Sequence, residues 1–418
     1  MGWRHQRRAV SRALSAGASI PKSLVSLDQQ PVSHFFDVLL AMSLSTYLRR
    51  SDMSSSIFHP LKVARVVPET SHAVCLSFEV PVHLQDVFDF KPGQYLTLRA
   101  TIDDVPVSRA YSICAPPSSQ QLTVAIKRVE NGVFSNFAND HVQCGMTLEV
   151  MAPQGNFGLP AAATDTNYLF IAAGSGITPI MSMLIAALEA DPKATATLLY
   201  GNQRSSSIMF RQQLSFLKNQ YLERFNWINI LSRETQDAPV LNGRIDNQKG
   251  AELSRKILNL KGFSGFFLCG PESMISEVSR GLRDSGIPED KIKYELFGSS
   301  AADAAERVAK HHARAEAFSG TMCDVTLVND GRASQVRIAA DGENLLDAGL
   351  NLGLDLPFAC KGGVCSTCKA LLVEGEVEMD IQRGLTADEI ARGMILTCQA
   401  HPISKRVHID FDKRWSGG

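Results

Sequence analysis

Hydrophobic and polar residues alternate along this chain in rhythms that change twice. Between Val63 and Phe157 the runs KVARVV, AVCLSFEV, QYLTLRA, LTVAIKRV and MTLEVMA alternate apolar with polar positions, and Pro, Gly, Asn and Asp separate them. A period of two marks half-buried strands, and short strands broken by turn residues predict a small antiparallel β-barrel. From Tyr168 strand-sized runs (YLFIAA, TATLLYGN, WINILS, GFFLCG) take turns with helix-sized ones (PIMSMLIAALEA, IMFRQQLSFLKNQ, AELSRKILNL, ESMISEVSRGLRD). That alternation predicts an α/β domain with a parallel sheet covered by helices. Between Gly298 and Gly320 the chain is small and charged with little to bury, which suits an interdomain linker, its Ala-rich middle transiently helical. A last compact segment runs from Cys323 to about Lys413. The expected boundaries are an N-terminal extension at 1–56, the barrel at 57–160, the nucleotide domain at 161–298, the linker at 299–320 and a final domain at 321–418.

Composition narrows the partners. The 418 residues exceed what one core usually covers, and 44% of them are apolar. With 42 Lys and Arg against 43 Asp and Glu, no basic field exists to hold nucleic acid or an anionic membrane. The most apolar long run, from Phe35 to Leu48, is broken by Asp37 and falls short of the roughly 20 residues that span a bilayer. Neither a nucleic-acid nor a membrane partner is expected. Nine cysteines, an odd count with four clustered at ligand spacing, suit a reducing cytoplasm rather than a disulfide framework. The first 52 residues carry Arg4, Arg7, Arg8 and Arg12 with no acid before Asp28. A transit peptide has that composition, but a disordered tail or a true start at Met53, just before the first strand pattern, explains it as well.

The strongest chemical signal is CKGGVCSTCKA. Cys360, Cys365 and Cys368 stand in a C-x4-C-x2-C spacing, and Cys398 supplies a fourth thiolate downstream, as a plant-type 2Fe-2S cluster requires. Gly362 and Gly363 let the backbone curl and turn N–H groups toward the sulfurs. A four-thiolate zinc site normally repeats two C-x2-C pairs, and a thioredoxin-like pair opens a helix after a strand, so neither rival fits. Cys75, Cys114, Cys144 and Cys323 lack such company and are expected to be small core residues. The adjacent His311 and His312 point apart on a helix and are not expected to hold a metal.

Two further loops carry chemistry. In YLFIAAGSGITPIMSML, Gly174 and Gly176 lie between a strand and a helix, where backbone N–H groups meet a pyrophosphate, and Pro179 replaces the third glycine of the dinucleotide fingerprint. The next strand is followed by Arg204, Ser206 and Arg211 and no acid, which favours the 2′-phosphate of NADPH. In PVSRAYSIC, Arg109 suits a phosphate, Tyr111 a ring face, and Ser112 follows directly. ENGVFSNF adds Gly132, Val133 and Ser135, small enough in sum to admit a pyrophosphate.

Taken together, R-x-Y-S, G-x-x-S, P-x-G-x-F at Pro153, Gly155 and Phe157, G-x-G-x-x-P, and C-G-P at Cys269, Gly270 and Pro271 resemble the ferredoxin-NADP reductase superfamily. With a ferredoxin segment at the C-terminus, the chain from Phe58 onward is similar to the oxygenase reductases, and most to the reductase subunits of phenylacetyl-CoA epoxidases. The resemblance implies three domains: an antiparallel barrel for FAD, an α/β domain for NADPH, and an α+β (β-grasp) domain for the 2Fe-2S cluster. It places Arg109 on the flavin phosphates, Tyr111 against the isoalloxazine, Ser112 toward N5, and Gly132 to Ser135 along the pyrophosphate. Thr178 and Cys269 approach the nicotinamide, and Glu295 and Phe297 match the terminal acid and aromatic, with Ser112, Cys269 and Glu295 as the catalytic set. The implied acceptor is a di-iron oxygenase component. The alternatives are reductases of other aromatic-ring or steroid oxygenases, using NADH with FMN or FAD, and a non-enzymatic 2Fe-2S redox sensor.

Overall fold

A computed structural model describes residues 58–160, 164–256, 258–298 and 301–413; the expectations for residues 1–56 lie outside them. Strands β1 (Phe58–Thr70), β2 (Ala73–Glu79), β3 (Tyr95–Ile102), β4 (Val105–Ser112), β5 (Leu122–Lys127) and β6 (Thr147–Met151) form one antiparallel sheet in the order β4-β3-β6-β1-β2-β5. An antiparallel bridge between Ile113 and Val124 joins the two edges and closes the barrel. The alternation seen in the sequence sends Leu61, Val63, Leu76, Leu96, Leu98, Val124 and Val150 inward, where each is buried. Helix α1 (Val133–Asp140) packs on the barrel through Phe134 and Ala138.

The second sheet is parallel, β11-β10-β7-β8-β9, with β7 (Asn167–Ala173) at its centre. In chain order follow α2 (Ile177–Ala190), β8 (Thr195–Asn202), α3 (Arg211–Gln220), β9 (Phe225–Leu231), α4 (Asn247–Lys256), β10 (Gly265–Cys269), α5 (Glu272–Asp284) and β11 (Ile292–Glu295). Because β8 and β10 flank β7 on opposite sides, the carboxyl end of β7 is a topological switch point, where open α/β sheets bind ligands. One continuous core joins this domain to the barrel: Cys114, Ala125 and Phe157 pack with Ile180, Met183 and Leu184 of α2. Polar ties reinforce it, the Ser182 hydroxyl donating to the Ala115 carbonyl at 2.7 Å and the Phe210 N–H to Glu69 at 2.5 Å.

The segment expected to be a linker behaves differently. It forms helix α6 (Ala301–Phe318), and the Arg314 side chain on it has no exposed area. Arg314 Nη1 donates to Glu378 at 2.9 Å and Asp380 at 2.8 Å, Lys310 donates to the Met379 and Asp380 carbonyls, and Asp303 pairs with Arg383 at 2.6 Å. What the segment buries is charge matched by charge, and an apolar pattern is blind to that. His311 and His312 are exposed on its outer side.

Beyond it come β12 (Met322–Asn329), β13 (Arg332–Ala339), α7 (Leu345–Asn351), β14 (Lys369–Glu374), β15 (Val377–Met379), α8 (Ala387–Ala391), β16 (Met394–Leu396), β17 (Ala400–Pro402) and β18 (Arg406–Asp410). The mixed sheet β13-β12-β18-β14-β16, parallel only between β12 and β18, and the small β15-β17 pair enclose a core of Val325, Leu327, Leu346, Ile409 and Phe411. Polar pairs tie this domain to the barrel: Arg99 with Asp355 at 2.5 Å, Thr97 with Thr367 at 3.1 Å, and Asn156 with Glu389 at 3.4 Å. Cys114 and Cys323 are buried as expected and Cys75 is half-buried, but Cys144 is exposed, its thiol donating to the Ala64 carbonyl.

Candidate functional site

The loop between α7 and β14 brings Cys360, Cys365 and Cys368 beside Cys398, which follows β16. The four thiols act on one another's ionisation in two pairs, Cys360 with Cys365 and Cys368 with Cys398. The Cys365 thiol and the backbone N–H groups of Gly362, Val364 and Cys365 pull Cys360 down to about 5. Its pairing with Cys360 and its burial push Cys365 well up, as the pairing with Cys398 and burial do for Cys368. Gly363 has φ +76°, and a Cβ there would stand 2.8 Å from the Ile381 side chain and carbonyl, so only glycine lets the loop lie flat on β15 and its continuation. Among the described residues no three His, Cys, Asp or Glu side chains converge as a single-ion site demands. Cys360, Cys365, Cys368 and Cys398, with the Gly362 N–H donating to Cys360 Sγ at 3.3 Å, would hold a 2Fe-2S cluster, which would supply one-electron chemistry. The residues present therefore fit a 2Fe-2S cluster.

Next to this loop lies a cavity of ≈ 480 Å³, lined among others by Tyr95, Arg109, Ser112, Glu295, Cys360 and Cys365. Two strand ends meet in its wall, Ser112 closing β4 and Glu295 closing β11. Cys269 closes β10 in register with Glu295 but is fully buried and lines neither this cavity nor the next. The Ser112 hydroxyl donates to Glu295 at 3.2 Å. Burial raises Glu295 to about 8, which favours its protonated form at neutral pH, and burial with the nearby Glu295 pushes the Cys269 thiol well up. Tyr111, whose ring lies 5.6 Å from that of Phe134 at a 40° tilt, is held against α1. Gly132 caps α1 ahead of Val133, and the Ser135 hydroxyl accepts from the Val129 N–H and donates to the Gly132 carbonyl, so it shapes this turn from within. A flat ring system with a phosphate-bearing tail fits such a cavity, bounded by an arginine, a serine and a buried acid.

The second cavity, ≈ 510 Å³, sits at the carboxyl ends of β7, β8 and β10, where the switch point predicts it. Gly174, Gly176, Gly270 and Pro271 line it. A Cβ on Gly176 would fall 2.1 Å from the Cys269 carbonyl oxygen, which accounts for a glycine where the two loops touch. Thr178 and Pro179 are buried in the first turn of α2, the Thr178 hydroxyl donating to the Ser175 carbonyl. The cationic end differs from expectation. Arg204, Ser206 and Arg211 are exposed and do not line the cavity, whereas Arg233 and Arg244 do. The Ser205 N–H and hydroxyl are taken by Glu234, which turns the Arg204 segment into a cap for the loop after β9. Lys127, whose partial burial lowers its affinity for a proton, reaches the cavity from the barrel. The SRE run at Ser232 to Glu234 directly after β9 was the readable sign of Arg233, since ligands gather beyond strand carboxyl ends.

Comparison with known proteins agrees with this anatomy. Residues 61–158 match the oxidoreductase FAD-binding domain, 170–280 the oxidoreductase NAD-binding domain, and 328–402 the 2Fe-2S iron-sulfur cluster binding domain. These define a flavin-dependent, iron-sulfur electron-transfer protein that uses a nicotinamide nucleotide. The chain is 42% identical over 361 residues to a subunit of the 1,2-phenylacetyl-CoA epoxidase of Escherichia coli K12, covering 85% of this chain and 98% of that one. It is 36% identical to the ferredoxin reductase component of 3-ketosteroid-9-alpha-monooxygenase from Mycolicibacterium smegmatis, covering 84% and 97%. A solved intact type IV self-sufficient cytochrome P450 monooxygenase shares the fold at TM-score 0.60 and 21% identity over 85% of this chain and 41% of that one. The chain belongs to the family of oxygenase reductases, NAD(P)H-dependent oxidoreductases that carry FAD and a 2Fe-2S cluster. Among the described residues no helix is long and apolar enough to cross a membrane.

Proposed function

We propose that this chain supplies electrons from NADPH to the di-iron oxygenase component of a phenylacetyl-CoA epoxidase, in the cytoplasm. The observation that carries the electron-transfer reading is the placement of Cys360 and Cys365 in the wall of the cavity that Ser112 and Glu295 also line. When bound there, the flavin takes electrons in pairs from the nicotinamide and releases them singly, and the cluster carries one at a time.

The chain's own residues do the rest by position and charge. Arg109 at the cavity rim offers a guanidinium to phosphate. Ser112, joined to the protonated Glu295, holds a proton-bearing pair beside the flavin edge. Gly176, Gly270 and Pro271 line the cavity for the nicotinamide nucleotide, the Gly176 loop resting on the Cys269 backbone, and Phe297, which lines both cavities, stands between them. Arg233 and Arg244 supply the cations for a 2′-phosphate, which supports NADPH over NADH. The four cysteines Cys360, Cys365, Cys368 and Cys398 hold the cluster. The other five cysteines, none of them in a disulfide, suit a reducing compartment.

The naming of the acceptor rests on the 42% identity to a component of an epoxidase, against 36% to a steroid monooxygenase component. Reconstitution separates them. Mixed with NADPH and purified oxygenase components, the protein is expected to support phenylacetyl-CoA consumption, and activity only with a steroid or aromatic-acid oxygenase would sink this acceptor while leaving the chemistry. Anaerobic NADPH should bleach flavin and cluster absorption in the native chain and flavin alone in Cys365→Ala. Absence of NADPH turnover alongside a reducible cluster would favour a redox sensor.

A further inference from the structure

The barrel and the ferredoxin domain meet through a hydroxyl that touches a cluster ligand. Thr367, between Cys365 and Cys368, is 1% exposed, and Thr97 on β3 of the barrel is fully buried. Their Oγ1 atoms lie 3.1 Å apart, and Thr367 Oγ1 lies 3.3 Å from Cys365 Sγ. Two residues before Thr97 on the same strand, the Tyr95 phenol donates to Gln154 Oε1 at 3.3 Å. Buried hydroxyls on both sides of a domain boundary require partners, and these satisfy one another.

Ligation settles which way the bonds run. A free Cys365 thiol donates to Thr367, but a metal-bound thiolate has no proton, so the contact is kept on ligation when the Thr367 hydroxyl turns from the Cys365 carbonyl, 3.5 Å away, and donates to the nearer sulfur. Its oxygen then accepts from Thr97, whose donation polarises the Thr367 O–H and strengthens the bond to sulfur. Hydrogen bonds to cluster sulfurs favour the reduced, more negative form and raise its potential. We infer that Thr97, a barrel residue, is a positioning residue that raises the cluster's reduction potential through Thr367, so that contact with the flavin domain poises the cluster to accept an electron.

This inference rests on the assignment of the four cysteines to a 2Fe-2S cluster. The test is a spectroelectrochemical titration of the cluster absorption in the full-length protein, with iron, sulfide and flavin counted in each preparation. Thr367→Val is expected to lower the cluster's reduction equilibrium about tenfold, about 59 mV for a one-electron couple. Thr97→Val should lower it about threefold, and Thr97→Ser, which keeps the donor, should restore the native value. Thr97→Ala serves as a second variant should the valine fail to fold. A native potential in Thr97→Val or Thr97→Ala, with iron and flavin intact, overturns the inference even if electron delivery slows, because a purely structural contact would behave that way. Loss of potential in Thr97→Ser equal to that in Thr97→Val overturns it too. A native protein without two irons and two sulfides overturns the cluster assignment, and this inference with it.

Discussion

Two carboxylates in the interior near the thiol loop meet opposite fates. Asp380, 7% exposed, follows β15 beneath the loop; burial would raise it, but hydrogen bonds from His401 and Arg314 outweigh that and hold it below its ordinary value. Glu295, half-buried at the end of β11, has only the Ser112 hydroxyl for company, and burial lifts it to about 8. The acid with a cation beside it is the one that stays ionised. Burial acts on both and a partner offsets it on one, and the two regions divide their work accordingly: a fixed ion network supports the cluster loop, and an acid inclined to hold its proton faces the cavity beside it.

Removing the cation from the first region should have the largest effect. Arg314→Ala leaves Asp380 and Glu378 without it, and breaking a buried pair from one side costs about 3–5 kcal/mol. Urea unfolding followed by circular dichroism should register that loss together with release of the cluster. Arg314 Nε and Nη2 have no hydrogen-bond partner in the structure, so the guanidinium is incompletely satisfied. A stability unchanged in Arg314→Ala would mean that His401 alone keeps Asp380 ionised.

The second region should respond to pH with the reverse sign. A group raised from 4.5 to about 8 in the folded state contributes stability that is complete below its unfolded value and is lost as pH rises through the folded one. Between about pH 4.5 and 8 the native protein should therefore lose up to about 1.4 kcal/mol per pH unit from this residue. Glu295→Gln should flatten the curve over that window. An identical slope in the variant would show that Glu295 ionises normally. Asp380, depressed instead, contributes only at the acid end, where its stabilisation fades as pH falls through the folded value.

This contrast also explains which parts were readable beforehand. The barrel and the parallel sheet announced themselves, because burial of Leu96 and Leu98 or of Phe170 and Leu198 leaves a period in the chain. The cysteine loop did so more sharply, since cluster ligation demands short fixed spacings. Helix α6 did not. Its buried Arg314 is matched by Glu378 and Asp380 more than sixty positions away, and local composition holds no record of such a pairing. The cationic side of the second cavity was no more legible: Arg204 and Arg211 follow Gly176 more closely in sequence, but Arg233 and Arg244, on later loops, line the cavity.

That last difference is open to a smaller, sharper test. Arg233→Ala should raise the KM for NADPH by roughly 10- to 100-fold, the loss of a charged hydrogen bond of about 1.5–3 kcal/mol, with little change for NADH. Arg204→Ala, at an exposed position outside the cavity, should leave both unchanged. Equal losses for the two nucleotides in Arg233→Ala would place that arginine on the shared pyrophosphate and remove the main support for NADPH.

The smallest effect belongs to the polar seam between barrel and ferredoxin domain. Arg99 is shared between Glu149 on its own barrel and Asp355 across the boundary, and Asp355 is largely exposed. Exposed ion pairs contribute about 0–1 kcal/mol and weaken with salt. Asp355→Asn should thus leave unfolding within that range of the native chain. Internal electron transfer, measured by stopped flow after NADPH mixing, should also stay within about twofold at physiological salt. A larger, salt-sensitive slowing would mean that this one pair, rather than the buried Thr97–Thr367 contact, holds the domains in register, and it would shift the control of docking from the buried ion and hydroxyl networks to the surface.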